Sequence, residues 1–166
     1  MRVRIMNLNK IPPQIKVFGD TSFRGDCPKE TPEQISFLCL LKSEFPELAK
    51  IAVHIRNEGK RTKRQGAQQK LEGMNTGASD IIIPCVPPML IELKRRDHTK
   101  SSSSAKQLQY LIDSEKQGAF ACYALGAVGA IEAVREWHSI TNQKWVFSLL
   151  IVVLPTLNGL TKGLVI

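Results

Sequence analysis

The sequence predicts a mixed α/β domain, and three observations predict it. Two short apolar runs, Ile81–Ile83 and Met89–Leu93, lie on either side of a turn carrying Pro84, Pro87 and Pro88. A third run, Ala119–Leu125, is apolar and short enough for a strand. Segments with helical spacing stand before and after these runs, so the order is helix, strand, basic helical turn, hairpin, helix, strand, helix. At 166 residues the chain is long enough for one domain with a core of its own. Its 43% hydrophobic and 23% charged content is that of an ordinary globular protein.

Residues 1–29 read as an N-terminal arm and loop. Met1–Phe18 alternates apolar positions around Pro12 and Pro13 and suits an edge strand or arm, and Gly19–Lys29 is turn-rich. There is no charged region followed by a long apolar core, so no signal peptide is expected. Thr31 has the features of an N-cap, with Pro32 at the first helical position and Gln34 three residues on. Ile35, Leu38, Leu41 and Phe45 then recur at helical spacing up to Pro46. Leu48–Ile55 is apolar enough for a strand, with His54 near its end.

The hairpin comes next. Its prolines sit where backbone donors are not needed, so the two strands are expected to pair antiparallel. Side chains alternate across a strand, which puts Glu92 and Lys94 on one face and Leu93 on the other. With Asp80 opening the first strand, three ionisable groups converge at one end of an apolar hairpin. Charges are rarely buried unless paired or bound to a metal. Two carboxylates and a lysine suit metal-assisted phosphodiester hydrolysis, with the Leu93 carbonyl as a further oxygen donor. The hairpin alone favours an ordinary solvated polar end, because Asp-x11-Glu-x-Lys is a loose pattern with many chance matches.

Ser101–Ser104 reads as a flexible loop or helix entry. Leu108, Leu111 and Ile112 form the apolar stripe of a helix over 106–116, with Gln107 off that stripe and Gly118 as its C-cap. A helix over 127–138 follows, ending near Trp137. Residues 141–166 form an apolar C-terminal extension whose stretch Trp145–Leu154 is too short to span a bilayer, which takes about 20 apolar residues. Cys27, Cys39, Cys85 and Cys122 are scattered, with no C-x-x-C pair. They read as reduced, mostly buried thiols of a cytoplasmic protein, not as a disulfide frame or zinc site.

The net charge of +8 is not spread evenly. Arg56–Lys70 carries six cations against Glu58, and Lys94–Lys106 carries five against Asp97, so the rest of the chain is close to neutral. Two basic runs flanking one carboxylate cluster favour a polyanionic substrate over a solvated face.

Gly77-x-x-Asp80, Glu92-x-Lys94, Gln107 and then Gly118 ahead of an apolar strand resemble the VRR-NUC group of the PD-(D/E)xK nucleases. Upstream, His54-Ile55-x-Asn57-Glu58-Gly59-Lys60-Arg61 and Glu72-Gly73-Met74 are similar to the stretch before that motif in stand-alone phage members. The resemblance covers residues 30 to 138, and one departure is Ser79, where the group usually has proline. It implies a restriction-endonuclease-like α/β core, a mixed central sheet flanked by helices, with the nuclease domain at 30–140. It also implies a Mg²⁺- or Mn²⁺-dependent endodeoxyribonuclease. Asp80, Glu92, Lys94 and Gln107 would be its catalytic residues. Asp80, Glu92, Leu93 and a first-helix glutamate, Glu33, would be the candidate metal ligands. Glu33 fits equally well as an acid at a helix N-terminus. Arg56, Asn57, Lys60, Arg61, Lys63, Arg64, Arg95 and Arg96 are the candidate DNA contacts.

The stand-alone phage members resemble junction-resolving enzymes. That implies branched, Holliday-junction-like DNA as substrate, a homodimer, and the host cytosol as location if the chain is phage-encoded. A competing reading is a non-catalytic basic nucleic-acid-binding module, or an inactive subunit of a larger nuclease, and a general nicking nuclease is a third. No RRM, KH, helix-turn-helix or zinc-finger signature supports a dedicated binder, and binding alone does not require carboxylates, lysine and glutamine at this spacing.

Overall fold

A computed structural model describes residues 6–56 and 62–142. The chain divides into two compact units, Met1–Ala133 and Val134–Ile166. The first unit is built on a five-stranded sheet. Its strands are β1 (Lys16–Phe18), β2 (Val53–His54), β3 (Ile81–Ile83), β4 (Met89–Lys94) and β5 (Phe120–Leu125). Its helices are α1 (Glu30–Glu44), α2 (Pro46–Ile51), α3 (Lys63–Leu71), α4 (Ala105–Lys116) and α5, over residues 126–133. In the second unit residues 134–142 are helical, with Val134, Trp137 and Thr141 buried. The apolar stretch Trp145–Leu154 lies outside the described residues.

The strand order is β1-β5-β4-β3-β2. β4 runs parallel to β5, and β5 parallel to β1, while β3 is antiparallel to both β4 and β2. The hairpin expected from the prolines is therefore present, in the register Ile81↔Ile91 and Ile83↔Met89. β4 is central and buried along its whole length, as a strand covered on both faces must be. One sheet face carries Leu90, Ala121, Tyr123 and Leu125 into a core completed by Met6, Ile15 and Leu111 of α4. The other carries Ile81, Ile83, Met89, Ile91, Leu93, Cys122 and Ala124, all buried, and α1 packs against β4.

Three expectations about the elements are corrected. α1 starts at Glu30, not at Pro32, and its N-cap Lys29 makes no side-chain cap bond. A tertiary contact sets this entry: the Arg95 guanidinium donates to the carbonyls of Cys27 (2.8 Å) and Pro28 (3.0 Å). The buried row of α1 is Glu33, Phe37 and Leu41, while Ile35 is 59% exposed. Finally, Leu48–Ile55 is mostly not a strand. Pro46 begins α2, where its missing N–H is no loss, and only Val53–His54 pairs with β3.

β1 and α5 cross at two glycines. A Cβ on Gly129 would lie 2.6 Å from the Phe18 carbonyl oxygen, and one on Gly19, whose φ is +94°, would lie 2.7 Å from the Leu125 oxygen. Both obstacles are backbone, which cannot rotate away. Gly129→Ala is therefore expected to destabilise the fold by about 2 kcal/mol, measured as a lower urea midpoint at unchanged slope. An unchanged midpoint would contradict the crossing. Among the described residues no helix is long and apolar enough to cross a membrane.

Candidate active site

The register Ile81↔Ile91 sets Asp80 opposite Glu92 across the β3–β4 pair. Glu92 and Lys94 follow on one face of β4, the face that α4 covers. Two like charges opposite one another in a sheet are unfavourable unless something holds them. Here the holders are visible. Lys94 Nζ donates to Glu92 Oε1 at 2.7 Å, and both side chains are buried. Gln107 Nε2, from the first turn of α4, donates to the same oxygen. The Leu93 N–H donates to Asp80 Oδ2 at 3.0 Å. The other Glu92 oxygen, Oε2, is buried with no hydrogen-bond partner among the described residues.

The electrostatics follow from this burial. Desolvation pushes the Glu92 carboxyl up to about 8, against the pull of Lys94 and with the help of Asp80. Asp80 is also pushed up by burial, while Lys94 and the Leu93 N–H work the other way. Burial alone would lower Lys94, but the Glu92 carboxylate holds it above the usual lysine range. Two carboxyls that resist ionisation beside one buried ammonium form a pocket short of positive charge.

The residues present fit a hard divalent cation. The donors are oxygens, Glu92 Oε2 is buried and unpartnered, and the carbonyl of Leu93 belongs to the residue between Glu92 and Lys94. No group of three His, Cys, Asp or Glu among the described residues forms a metal cage, so water and phosphate oxygens would complete the coordination, as Mg²⁺ prefers.

The sequence groups Asp80, Glu92, Lys94 and Gln107, and in the structure Lys94 and Gln107 both bond Glu92 while Asp80 stands across the strand pair, bonded to the Leu93 N–H. Glu33 does not join them. Its Oε2 accepts the Ala127 N–H at 2.9 Å, at the N-terminus of α5, where an acid complements the helix dipole. The glutamate that reaches the cluster is Glu30, which acts electrostatically on Asp80, Glu92 and Lys94. Phe37 and Leu41 were the available signal, since taking them as the buried row brings the 30–33 turn to the sheet. Glu33→Ala is expected to lower stability by about 1 kcal/mol and Glu30→Ala to leave it unchanged. Melting curves on the two variants check this, and the opposite pattern would exchange the two roles.

The basic residues divide. Arg56 and Arg64 are exposed. Asn57, Lys60 and Arg61 lie outside the described residues, as does the side chain of Lys63. Arg95 holds the loop before α1, and Arg96 stacks on Phe23 at 4.1 Å. Lys100 donates to the Gly25 carbonyl, and Asp97 accepts the Gly25 N–H at 3.1 Å. Asp97 is held down at about 2, chiefly by the Thr99 hydroxyl. Much of the second basic run thus fastens residues 23–28 beside the site. Ser79, the departure from the resembled pattern, is fully buried, and its hydroxyl has no partner among the described residues. Gly77 is required by space: a Cβ there would lie 2.6 Å from the Lys106 carbonyl at the start of α4.

No protein-family model matches the chain, and no curated protein does. Among solved structures, a VRR_NUC domain protein matches with a TM-score of 0.56 and 20% identity, over 69% of this chain and 89% of that one. The five-stranded mixed sheet flanked by helices, with an acidic pair and a lysine at the β3–β4 hairpin, thus has the fold of a VRR-NUC domain, a restriction-endonuclease-like α/β fold.

Proposed function

We propose that the chain is a metal-dependent endodeoxyribonuclease of the VRR-NUC kind, a phosphodiester hydrolase with its active site at Asp80, Glu92, Lys94 and Gln107. The observation that carries the reading is the buried Glu92–Lys94 pair beside Asp80, with one glutamate oxygen left unpartnered. A purely structural ion pair has no need of a second buried carboxyl at its side. Residues 30–140 are the proposed nuclease domain, with β1 added to its sheet from the arm ahead of it.

Asp80, Glu92 and the Leu93 carbonyl would hold Mg²⁺ or Mn²⁺, which when bound neutralises phosphate charge and acidifies water. The chain's own groups do the rest. Gln107 and Lys94 fix Glu92 Oε1 and so aim Oε2. The Lys94 ammonium offers positive charge where negative charge develops in the transition state. Cleavage of labelled duplex and plasmid DNA with Mg²⁺ or Mn²⁺, against EDTA, tests the reading. Binding without cleavage in every metal would leave the basic binding module in its place.

Branched DNA is the proposed substrate and a homodimer the proposed state, in the cytoplasm or host cytosol. The support is the sequence resemblance to junction-resolving phage proteins and the need for two symmetric cuts at a four-way junction. A panel of junction, flap, nicked and linear substrates tests the first, and light scattering with and without junction DNA tests the second. Neutralising Arg56 and Arg64 together should reduce the log–log salt slope of binding by about 0.9 for every phosphate these side chains neutralise. An unchanged slope would place the DNA elsewhere.

A further inference from the structure

We propose that the serine run Ser101–Ser104 is the positioning element of the site, holding Glu30 and Gln107 in their places around the Glu92–Lys94 pair. The inference deepens the nuclease reading and rests on it for its effect on rate.

Four consecutive serines between a strand and a helix have the composition of a slack connector. Three of the four are tied to the site. Ser101 is 4% exposed. Its Oγ accepts the Arg95 N–H at 2.9 Å, and its one hydroxyl proton goes to Glu30 Oε1, also at 2.9 Å. The direction is forced, because a backbone N–H can only donate. Ser103 Oγ shares a 2.7 Å hydrogen bond with Tyr123 Oη, and Tyr123 is the β5 neighbour of Glu92 in the sheet register. Ser102 is exposed.

Ser104 sets a polarity. Its Oγ accepts the Gln107 N–H at 3.2 Å, and its own N–H donates to Gln107 Oε1 at 2.8 Å, a complete capping box. A glutamine amide has one acceptor end and one donor end. With Oε1 engaged by the cap, the donor end is the one presented to Glu92 Oε1. Reversed, the amide oxygen would face a carboxylate oxygen. The helix cap therefore decides which end of Gln107 meets the acid, and Glu92 Oε2 is the oxygen without a partner among the described residues.

The test follows the Gln107 side-chain amide by NMR, its proton pair assigned by disappearance in Gln107→Ala. Ser104→Pro removes the capping N–H at a position with φ −90°. It should move that pair to the position of a solvent-exposed amide, with Ser104→Thr restoring the wild-type position. In cleavage, Ser104→Pro and Ser101→Ala should each lower kcat about tenfold at unchanged KM, the size of one lost charge-assisted hydrogen bond. Ser102→Ala should behave as wild type. Ser104→Pro should cost nothing more in a Gln107→Ala background, nor Ser101→Ala in Glu30→Ala, because each serine acts through its partner. Additive losses, or a Gln107 amide unmoved by Ser104→Pro, would overturn the proposal. Should Ser104→Pro fail to fold, Gln107→Glu decides, since it keeps the capping box but turns a carboxylate to Glu92. Wild-type kcat in Gln107→Glu would overturn the proposal, and a loss matching Gln107→Ala would support it. If the wild-type protein cuts no DNA, the nuclease reading fails, and the amide signal still judges the positioning by itself.

Discussion

Asp80→Ala and Glu92→Ala are each expected to reduce DNA cleavage by about a thousandfold or more while leaving DNA affinity intact or slightly improved. The size follows from what the carboxylates hold. They are the two acidic donors opposite one another in the hairpin register, and Glu92 Oε2 is the buried oxygen without a partner. Losing either removes charge stabilisation at the point where the reaction develops it, an effect on the order of 10³ even for one well-placed group. Affinity behaves differently because a carboxylate near a phosphate repels it in the ground state. Lys94→Ala should lower kcat more than it raises KM, since its charge matters most in the transition state. The measurements are single-turnover cleavage and equilibrium binding in Ca²⁺ or EDTA on the same preparations. Either alanine variant cutting at the wild-type rate would sink the assignment of the site.

That the hairpin was legible from sequence has a local cause. Prolines can only turn there, and a strand's period of two puts Glu92 and Lys94 together without tertiary information. α4 was legible for the same reason: Leu108, Leu111 and Ile112 declare its inner face, and Gln107 falls beside it. Other features are decided by contacts distant in sequence. Thr31 and Pro32 have every local mark of a helix start, yet α1 begins at Glu30, where Arg95 grips the carbonyls of Cys27 and Pro28. That same grip shows why counting cations overstates a DNA surface. Arg95 and Arg96 read as phosphate contacts by charge, and in the fold Arg95 clamps the loop before α1 while Arg96 stacks on Phe23. Choosing between Glu30 and Glu33 required the rotation of α1 about its axis, which the run of Ile35, Leu38, Leu41 and Phe45 set wrongly. Ser101–Ser104 carried no periodic signal at all, because the hydroxyls of Ser101, Ser103 and Ser104 answer to different partners.

The metal-free protein is expected to lose stability as pH rises from about 5 to about 8, and Glu92→Gln to abolish most of that loss. Burial pushes the Glu92 carboxyl from the ordinary 4.5 up to about 8. Between those values the native state keeps a proton that the unfolded chain releases. Stability is therefore full below the unfolded value and declines as pH climbs toward the folded one. Asp80, shifted in the same direction, steepens the same decline. Lys94 opposes it, since its ammonium is the nearest charge to Glu92 and is itself held above its usual range. Removing it strands a buried carboxylate, and that costs about 3–5 kcal/mol when the carboxylate is ionised. Lys94→Ala should accordingly be far more damaging at pH 8 than at pH 5, where Glu92 is neutral. Combined with Glu92→Gln it should recover much of its stability, because no charge is then left unpaired. Urea unfolding in EDTA at pH 5, 6.5 and 8 measures all of this. A wild-type protein that gains stability across that range, or a Lys94→Ala penalty independent of pH, would mean that the pair is solvated and not buried against α4.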